Sequence, residues 1–236
     1  LAWSRGLGDV YKRQAQTPVT PMPGLDSASP VMLVGGTFDP PHLAHTELAR
    51  QAREIVAPGA FLYFVPAARS PHKEGGPEAT GMQRVAMLRL AFAEIAKADV
   101  WTDELDRAAS GEPSYWVTTL ARARQLVGRA RRLLFLVGAD QAISFDRWRE
   151  PKRILELAEI VVINRGDVRT KQELADRLAG SSLRDRLVDA WCEVDHLEIS
   201  ATAVREALGT QKESDLRGVV CPEVASYIRT KDLYRD

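Results

Sequence analysis

Cysteine is nearly absent from this chain. Cys192 and Cys221 are the only two in 236 residues, far apart and in no C-x-x-C pair. That argues against a disulfide framework or a cysteine-built metal site and for reduced thiols in the cytoplasm. No run of about 18 apolar residues occurs, so nothing is expected to span a membrane. Leu1–Gln14 also lacks the apolar stretch of a signal peptide. Net charge is missing too, with 32 Lys+Arg against 32 Asp+Glu. No global field therefore draws the chain to nucleic acid or an anionic membrane, and an anionic ligand must be held by a local cluster of donors. The two common phosphate loops, G-x-G-x-x-G and G-x-x-x-x-G-K-[ST], are absent, and no internal repeat of fixed period is seen.

What is present is ordinary for a globular chain: 45% hydrophobic and 27% charged residues. The length suits one α/β domain that buries roughly 70% of its unfolded surface without a staple. Ala15–Pro30 is rich in Pro, Ser and Thr and reads as a disordered linker. Before it, Asp9–Gln14 resembles the translation of a sequencing-library transposon end, so Leu1–Gln14 is expected to be foreign to the fold. Residues 1–30 are thus taken as an extension and 31–236 as the domain. Short apolar runs at Val31–Val34, Phe61–Val65, Leu133–Val137 and Ile160–Ile163 read as buried parallel strands, with Val194–Ile199 a weaker candidate. Helical patterns lie between them at His42–Ile55, Met82–Ala96, Ser114–Val127, Pro151–Leu157 and Thr202–Leu208. This alternation predicts a Rossmann-like, mostly parallel sheet with helices on both faces. Ligands in such sheets bind beyond the carboxyl ends of the strands.

The segments after the strands hold the candidate chemistry. Gly35-Gly36-Thr37-Phe38-Asp39-Pro40-Pro41-His42-Leu43-Ala44-His45 follows the first strand. Its glycines permit a sharp turn and close approach to a ligand, and Asp39 can cap the helix that follows. The free N–H groups of that helix suit a phosphate. His42 and His45, two of only four histidines, share one face of its first turn. A basic loop, Arg69-Ser70-Pro71-His72-Lys73, follows the second strand, and Arg84 opens a later helix within reach of an anion. Gly138-Ala139-Asp140 ends another strand with small residues and a carboxylate able to accept from a ribose hydroxyl. Ser200 reads as an N-cap, and with Thr202 and Arg205 it forms a candidate polyphosphate clamp.

Taken in order, these segments resemble the bacterial nicotinate-nucleotide adenylyltransferases, members of the nucleotidyltransferase superfamily with its HxGH and ISxTxxR motifs. The resemblance covers roughly Val31 to Arg235. It implies that Gly35, Gly36, Thr37 and Phe38 line the ATP phosphates and the mononucleotide. His42 and His45 would stabilise the reacting phosphate, Gly138 and Asp140 would hold the adenosine, and Ser200, Thr202 and Arg205 the outer phosphates. Lys73 and Arg84 fall near the mononucleotide, Trp148 packs on the pyridine ring, and backbone N–H groups near Thr102 and Trp148 receive its carboxylate. Two departures stand out: Ala44 replaces the usual Gly between the histidines, and Trp116 and Thr118 replace the usual Thr and Asp after Ser114-Tyr115.

The implied reaction is attack by the mononucleotide phosphate on the α-phosphorus of ATP, with Mg²⁺ held mostly by substrate oxygens and water and by no protein metal site. Nicotinamide mononucleotide and phosphopantetheine are alternative acceptors. A non-catalytic nucleotide sensor should have lost a motif histidine or the ISxTxxR run, and a tRNA synthetase fragment would need a KMSKS-like loop. The sequence leaves open whether copies associate into a homo-oligomer.

Overall fold

In the computed structural model, which describes residues 18–68, 76–108, 114–195, 197, 199–209 and 218–234, the apolar runs form one parallel sheet. Its strands are β1 (Val31–Gly36), β2 (Phe61–Pro66), β3 (Ala98–Val100), β4 (Leu133–Gly138), β5 (Glu159–Ile163) and β6 (Trp191–Cys192), in the order β3-β2-β1-β4-β5-β6. All five pairings are parallel. The order reverses between β1 and β4, where Val31 faces Leu133 and Val34 faces Leu136. A crevice opens at the carboxyl ends of two strands whose connections leave in opposite directions.

Alternate residues of each strand point to opposite faces, and the two halves of the core divide accordingly. Val31, Leu33, Tyr63, Phe135 and Val137 pack on one face with Leu120 and Ala123 of α4 (Trp116–Val127) and Ile154 of α6 (Pro151–Leu157). Met32, Val34, Leu62, Phe64 and Leu136 pack on the other with Leu48, Ala49 and Ala52 of α1 (Leu43–Val56) and Val85 and Leu88 of α2 (Gly81–Ala91). The small alanines of α1 let it lie close to the sheet. The shorter helices are α3 (Asp103–Asp106), α5 (Ala139–Ala142), α7 (Lys171–Arg177) and α8 (Arg184–Asp189). A third cluster joins α2 to α9 (Ala201–Gly209) and α10 (Pro222–Thr230) through Met87, Val204, Val224 and Ile228. Among the described residues no helix is long and apolar enough to cross a membrane.

Three expectations need correction. The described residues of the run 194–199 (Val194, Asp195, Leu197 and Ile199) form no strand. The buried Asn164 side chain takes over the pairing beyond β5, donating to the Val194 carbonyl and accepting from its N–H, both at 2.8 Å. The helix expected to run to Ala96 stops at Ala91, and the chain turns back through Lys97, whose φ is 54°. Finally, the linker boundary at residue 30 is too late. Residues 1–17 lie outside the described residues, but those from Pro18 onward pack on the domain.

That packing rests on a buried ionic network. Asp103, with a fully buried side chain, accepts from Arg122 at 2.7 Å and from Arg107 at 3.2 Å. Arg107 donates to Thr119, whose hydroxyl donates in turn to Glu104 at 2.5 Å. Segment 18–23 completes the set: Thr20 N–H donates to Asp103, Arg122 donates to the Pro18 carbonyl, and the Thr20 carbonyl receives the Trp101 indole N–H at 2.8 Å. Such charges are tolerated inside a protein only when fully partnered. A chain starting at Val31 should therefore be less stable than one starting at Pro18 by about 2–4 kcal/mol, the scale of two or three lost bonds to buried polar groups. Urea unfolding of the two truncations measures this, and equal midpoints would show that the segment contributes nothing.

Candidate active site

A cavity of about 360 Å³ occupies the crevice where the strand order reverses. Its walls include Gly35, Gly36, Thr37, Phe38, His42 and His45 from the β1–α1 segment, Gly138 from β4, Trp148, and Ser200 and Thr202 from the start of α9. Ten of the sequence-identified positions thus meet in one place, although they come from four separated stretches of chain.

The β1–α1 segment is held more tightly than its glycines suggest. A Cβ placed on Gly35 would lie 2.0 Å from the Trp116 indole, and one on Gly36 would lie 2.8 Å from the Phe38 ring. These two side-chain positions are filled from within the protein rather than by a ligand. Phe38, buried to 1% exposure, adopts a φ of 52°, a left-handed conformation that a bulky residue holds only when its surroundings require it. There its ring meets His45 edge-on, with centroids 4.9 Å apart, and Phe64 at 6.0 Å. Phe38 is therefore a wedge under His45 more than a ligand contact.

The two histidine rings stack, with centroids 3.7 Å apart and an interplanar angle of 27°. His45 Nδ1 accepts the backbone N–H of His42, which assigns the proton of a neutral His45 ring to Nε2. His42 is 2% exposed, and burial, seconded by the charge of Arg165, lowers its pKa to about 3. It is a neutral imidazole at physiological pH. The helix N–H groups expected to meet a phosphate are partly engaged elsewhere: Leu43 N–H donates to the Val219 carbonyl and His45 N–H to the His42 carbonyl. Nor does Asp39 cap α1. Its carboxylate accepts from the N–H groups of Glu78 and Ala79 and from the Tyr234 hydroxyl at 2.6 Å. Burial, then this bond, raises the Tyr234 pKa.

Four expected residues are not in the cavity wall, and a fifth, Lys73, lies outside the described residues, as does the rest of its basic loop. Arg84 is 2% exposed and donates to the carbonyls of Thr37 and Ala67 at 2.7 and 2.8 Å, bracing the turn from behind. Thr102 lines a second cavity with Arg84, and its hydroxyl donates to Asp106. Arg205 donates to the Asp39 carbonyl at 2.6 Å and pairs with Glu78 at 2.8 Å. Asp140 lies just behind the wall, its Oδ1 2.3 Å from a Cβ built on Gly138. That oxygen is buried and has no partner among the described residues.

Other wall residues went unassigned from sequence. Arg165 lies two residues past the end of β5, in a turn closed by its N–H bond to the Val168 carbonyl. Its signal was available, since a cation at the carboxyl end of a strand is where an anion site is sought. Arg147, Arg149 and Gln141 also line the cavity, as does Glu104, whose carboxyl burial pushes above the usual range. Arg149 lies over the Tyr115 ring, 5.0 Å from its centroid. Of the departures, Ala44 and Trp116 are in the wall. Thr118 is buried behind it with a hydroxyl that has no partner among the described residues. Ser200 does cap α9, accepting the Ala203 N–H at 3.1 Å.

Comparison with known proteins agrees with this geometry. A cytidylyltransferase-like family model matches residues 33–207. A probable nicotinate-nucleotide adenylyltransferase of Chromobacterium violaceum is 31% identical over 220 residues, covering 87% of this chain and 98% of the relative. One of Stenotrophomonas maltophilia is 36% identical over 216 residues, covering 85% and 95%. In three dimensions the chain is similar to Plasmodium falciparum nicotinic acid mononucleotide adenylyltransferase complexed with NaAD. That match has a TM-score of 0.67 at 16% identity, covers 88% and 98% of the two chains, and speaks for the fold. The crevice, the stacked histidines and these relatives together make the chain a member of the cytidylyltransferase-like family and, within it, of the nicotinate-nucleotide adenylyltransferases.

Proposed function

We propose that this cavity transfers the adenylyl group of ATP to the phosphate of nicotinate mononucleotide, giving the dinucleotide and pyrophosphate. The observation that carries the reading is the stacked His42–His45 pair, with a neutral His42, at the strand-order reversal. A phosphate monoester oxygen attacks the α-phosphorus, a new P–O bond forms, and the bond to the β-phosphate oxygen breaks. The nucleophile is already anionic near neutral pH, so no base has to remove a proton. Catalysis then comes from bringing two anions together and stabilising the charge that develops.

The residues divide that work. The Nε2–H of His45, aimed by Phe38 and by the His42 N–H, donates to the reacting phosphate. A neutral His42 adds a donor without pairing irreversibly with the product. Arg165, Ser200 and Thr202 suit the polyphosphate, and Arg205 positions the loop through the Asp39 carbonyl. The orphaned Asp140 oxygen suits a ribose hydroxyl beside Gly138. Among the described residues no three His, Cys, Asp or Glu side chains converge on a metal site. That fits Mg²⁺ arriving on the ATP phosphates as part of the substrate and neutralising the leaving pyrophosphate. The free thiols Cys192 and Cys221 suit a reducing compartment, the cytoplasm.

Two outcomes test the histidines. His45→Ala should lower kcat by about 100-fold or more with the fold intact, the scale of a lost transition-state contact. Pyrophosphate release in steady state measures it, and normal turnover would move the chemistry elsewhere. His42 sets a pH dependence of stability. Its folded pKa of about 3 lies below the ordinary 6.5, so the unfolded chain binds a proton that the folded chain does not. Stability from this site is complete above about pH 6.5 and is lost as pH falls toward 3. His42→Gln should show a shallower fall in melting temperature over that range; parallel curves would mean that His42 titrates normally in the fold.

A further inference from the structure

Trp116 stands where the family resemblance implies a Thr, at the start of α4 and against β1. Its indole lies so close to Gly35 that a Cβ there would meet Cζ2 at 2.0 Å, and its ring packs on Phe135 with centroids 4.1 Å apart at 31°. Phe135 also touches Trp148, 6.1 Å away. Both indoles are partly buried on the face of the sheet covered by α4 and α6, and both line the cavity. The histidines lie toward the opposite face, where α1 and the segment before α9 pack. The cavity thus has an aromatic end built on Phe135 and a polar end built on His42, His45, Ser200 and Thr202.

We propose that Trp116 is a substrate-binding, specificity-determining residue whose indole face receives the acceptor's pyridinium ring alongside Trp148, a proposal that rests on the acceptor being a pyridine mononucleotide. The ring is flat and carries a positive charge, and an electron-rich indole face attracts such a cation. Gly35 belongs to this device: its missing side chain is the space into which the Cζ2 edge of the indole projects. A threonine at 116 would leave that space empty.

The test is calorimetric binding of nicotinate mononucleotide alone to the full chain, with KM for each substrate measured beside it. Trp116→Met keeps bulk against Gly35 and Phe135 but removes the π face, and should weaken mononucleotide binding about 10-fold. Trp116→Phe should stay within about 3-fold of the parent, and KM for ATP should move less than about 3-fold in both. Gly35→Ala should reproduce the Met variant's loss by pushing the indole aside, and should add little in a Trp116→Thr background. Unchanged mononucleotide binding in Trp116→Met, or a larger shift for ATP, overturns the proposal. If the Met variant does not fold, as judged by melting, Trp116→Phe and the Gly35 pair decide it, additive losses in that pair counting against. Failure of the unaltered chain to release pyrophosphate with the mononucleotide and MgATP would instead remove the functional reading itself.

Discussion

A carboxylate taken out of water must collect donors, and Asp39, 5% exposed, collects three. Two are backbone N–H groups of Glu78 and Ala79, and the third is the Tyr234 hydroxyl, while the residue's own carbonyl receives Arg205. Three stretches of chain are thereby tied to the middle of the β1–α1 turn. With Asp39 fixed and Arg84 holding the Thr37 and Ala67 carbonyls, the turn has little freedom left. Phe38 is kept in its left-handed conformation, its ring sits under His45, and the histidine stack follows. The geometry of the histidine end is set by side chains that lie outside the cavity wall.

The electrostatics are equally local. A chain with no net charge concentrates Arg147, Arg149 and Arg165 on one cavity. Arg165 does more than attract anions, because its charge helps burial keep His42 neutral. A neutral donor stabilises developing charge yet releases an anionic product more easily than a second fixed cation would. Glu104 enters the same wall from the buried network around Asp103, so the segment from Pro18 to Thr20, the network and the cavity form one continuous polar structure.

Much of the fold was legible because parallel strands buried on both faces must be apolar runs, and β1, β2, β4 and β5 are such runs. Strand β3 escaped notice because it has three residues, one of them Asp99. Strand β6 escaped because it has two, the continuation being carried by the Asn164 side chain, which no periodicity reveals. At the site, the motif residues that converge lie at the ends of β1 and β4, at the starts of α1 and α9, and at Trp148 in the segment after β4. Arg84, Thr102 and Arg205 were misplaced because long or polar side chains can turn to backbone carbonyls and carboxylates, a choice that tertiary contacts make. The glycines misled for a related reason: the space that a missing Cβ opens was taken by Trp116 and Phe38 before any ligand could use it.

The bond between Tyr234 and Asp39 joins groups 195 residues apart. During synthesis the apolar strands around β1 can begin to pair while much of the chain is still unmade, but Asp39 lacks its third donor until Tyr234 has left the ribosome. The sheet can therefore assemble before the catalytic turn is locked, and a chain cut between Thr230 and Tyr234 would keep its core while leaving the Asp39 carboxylate one donor short.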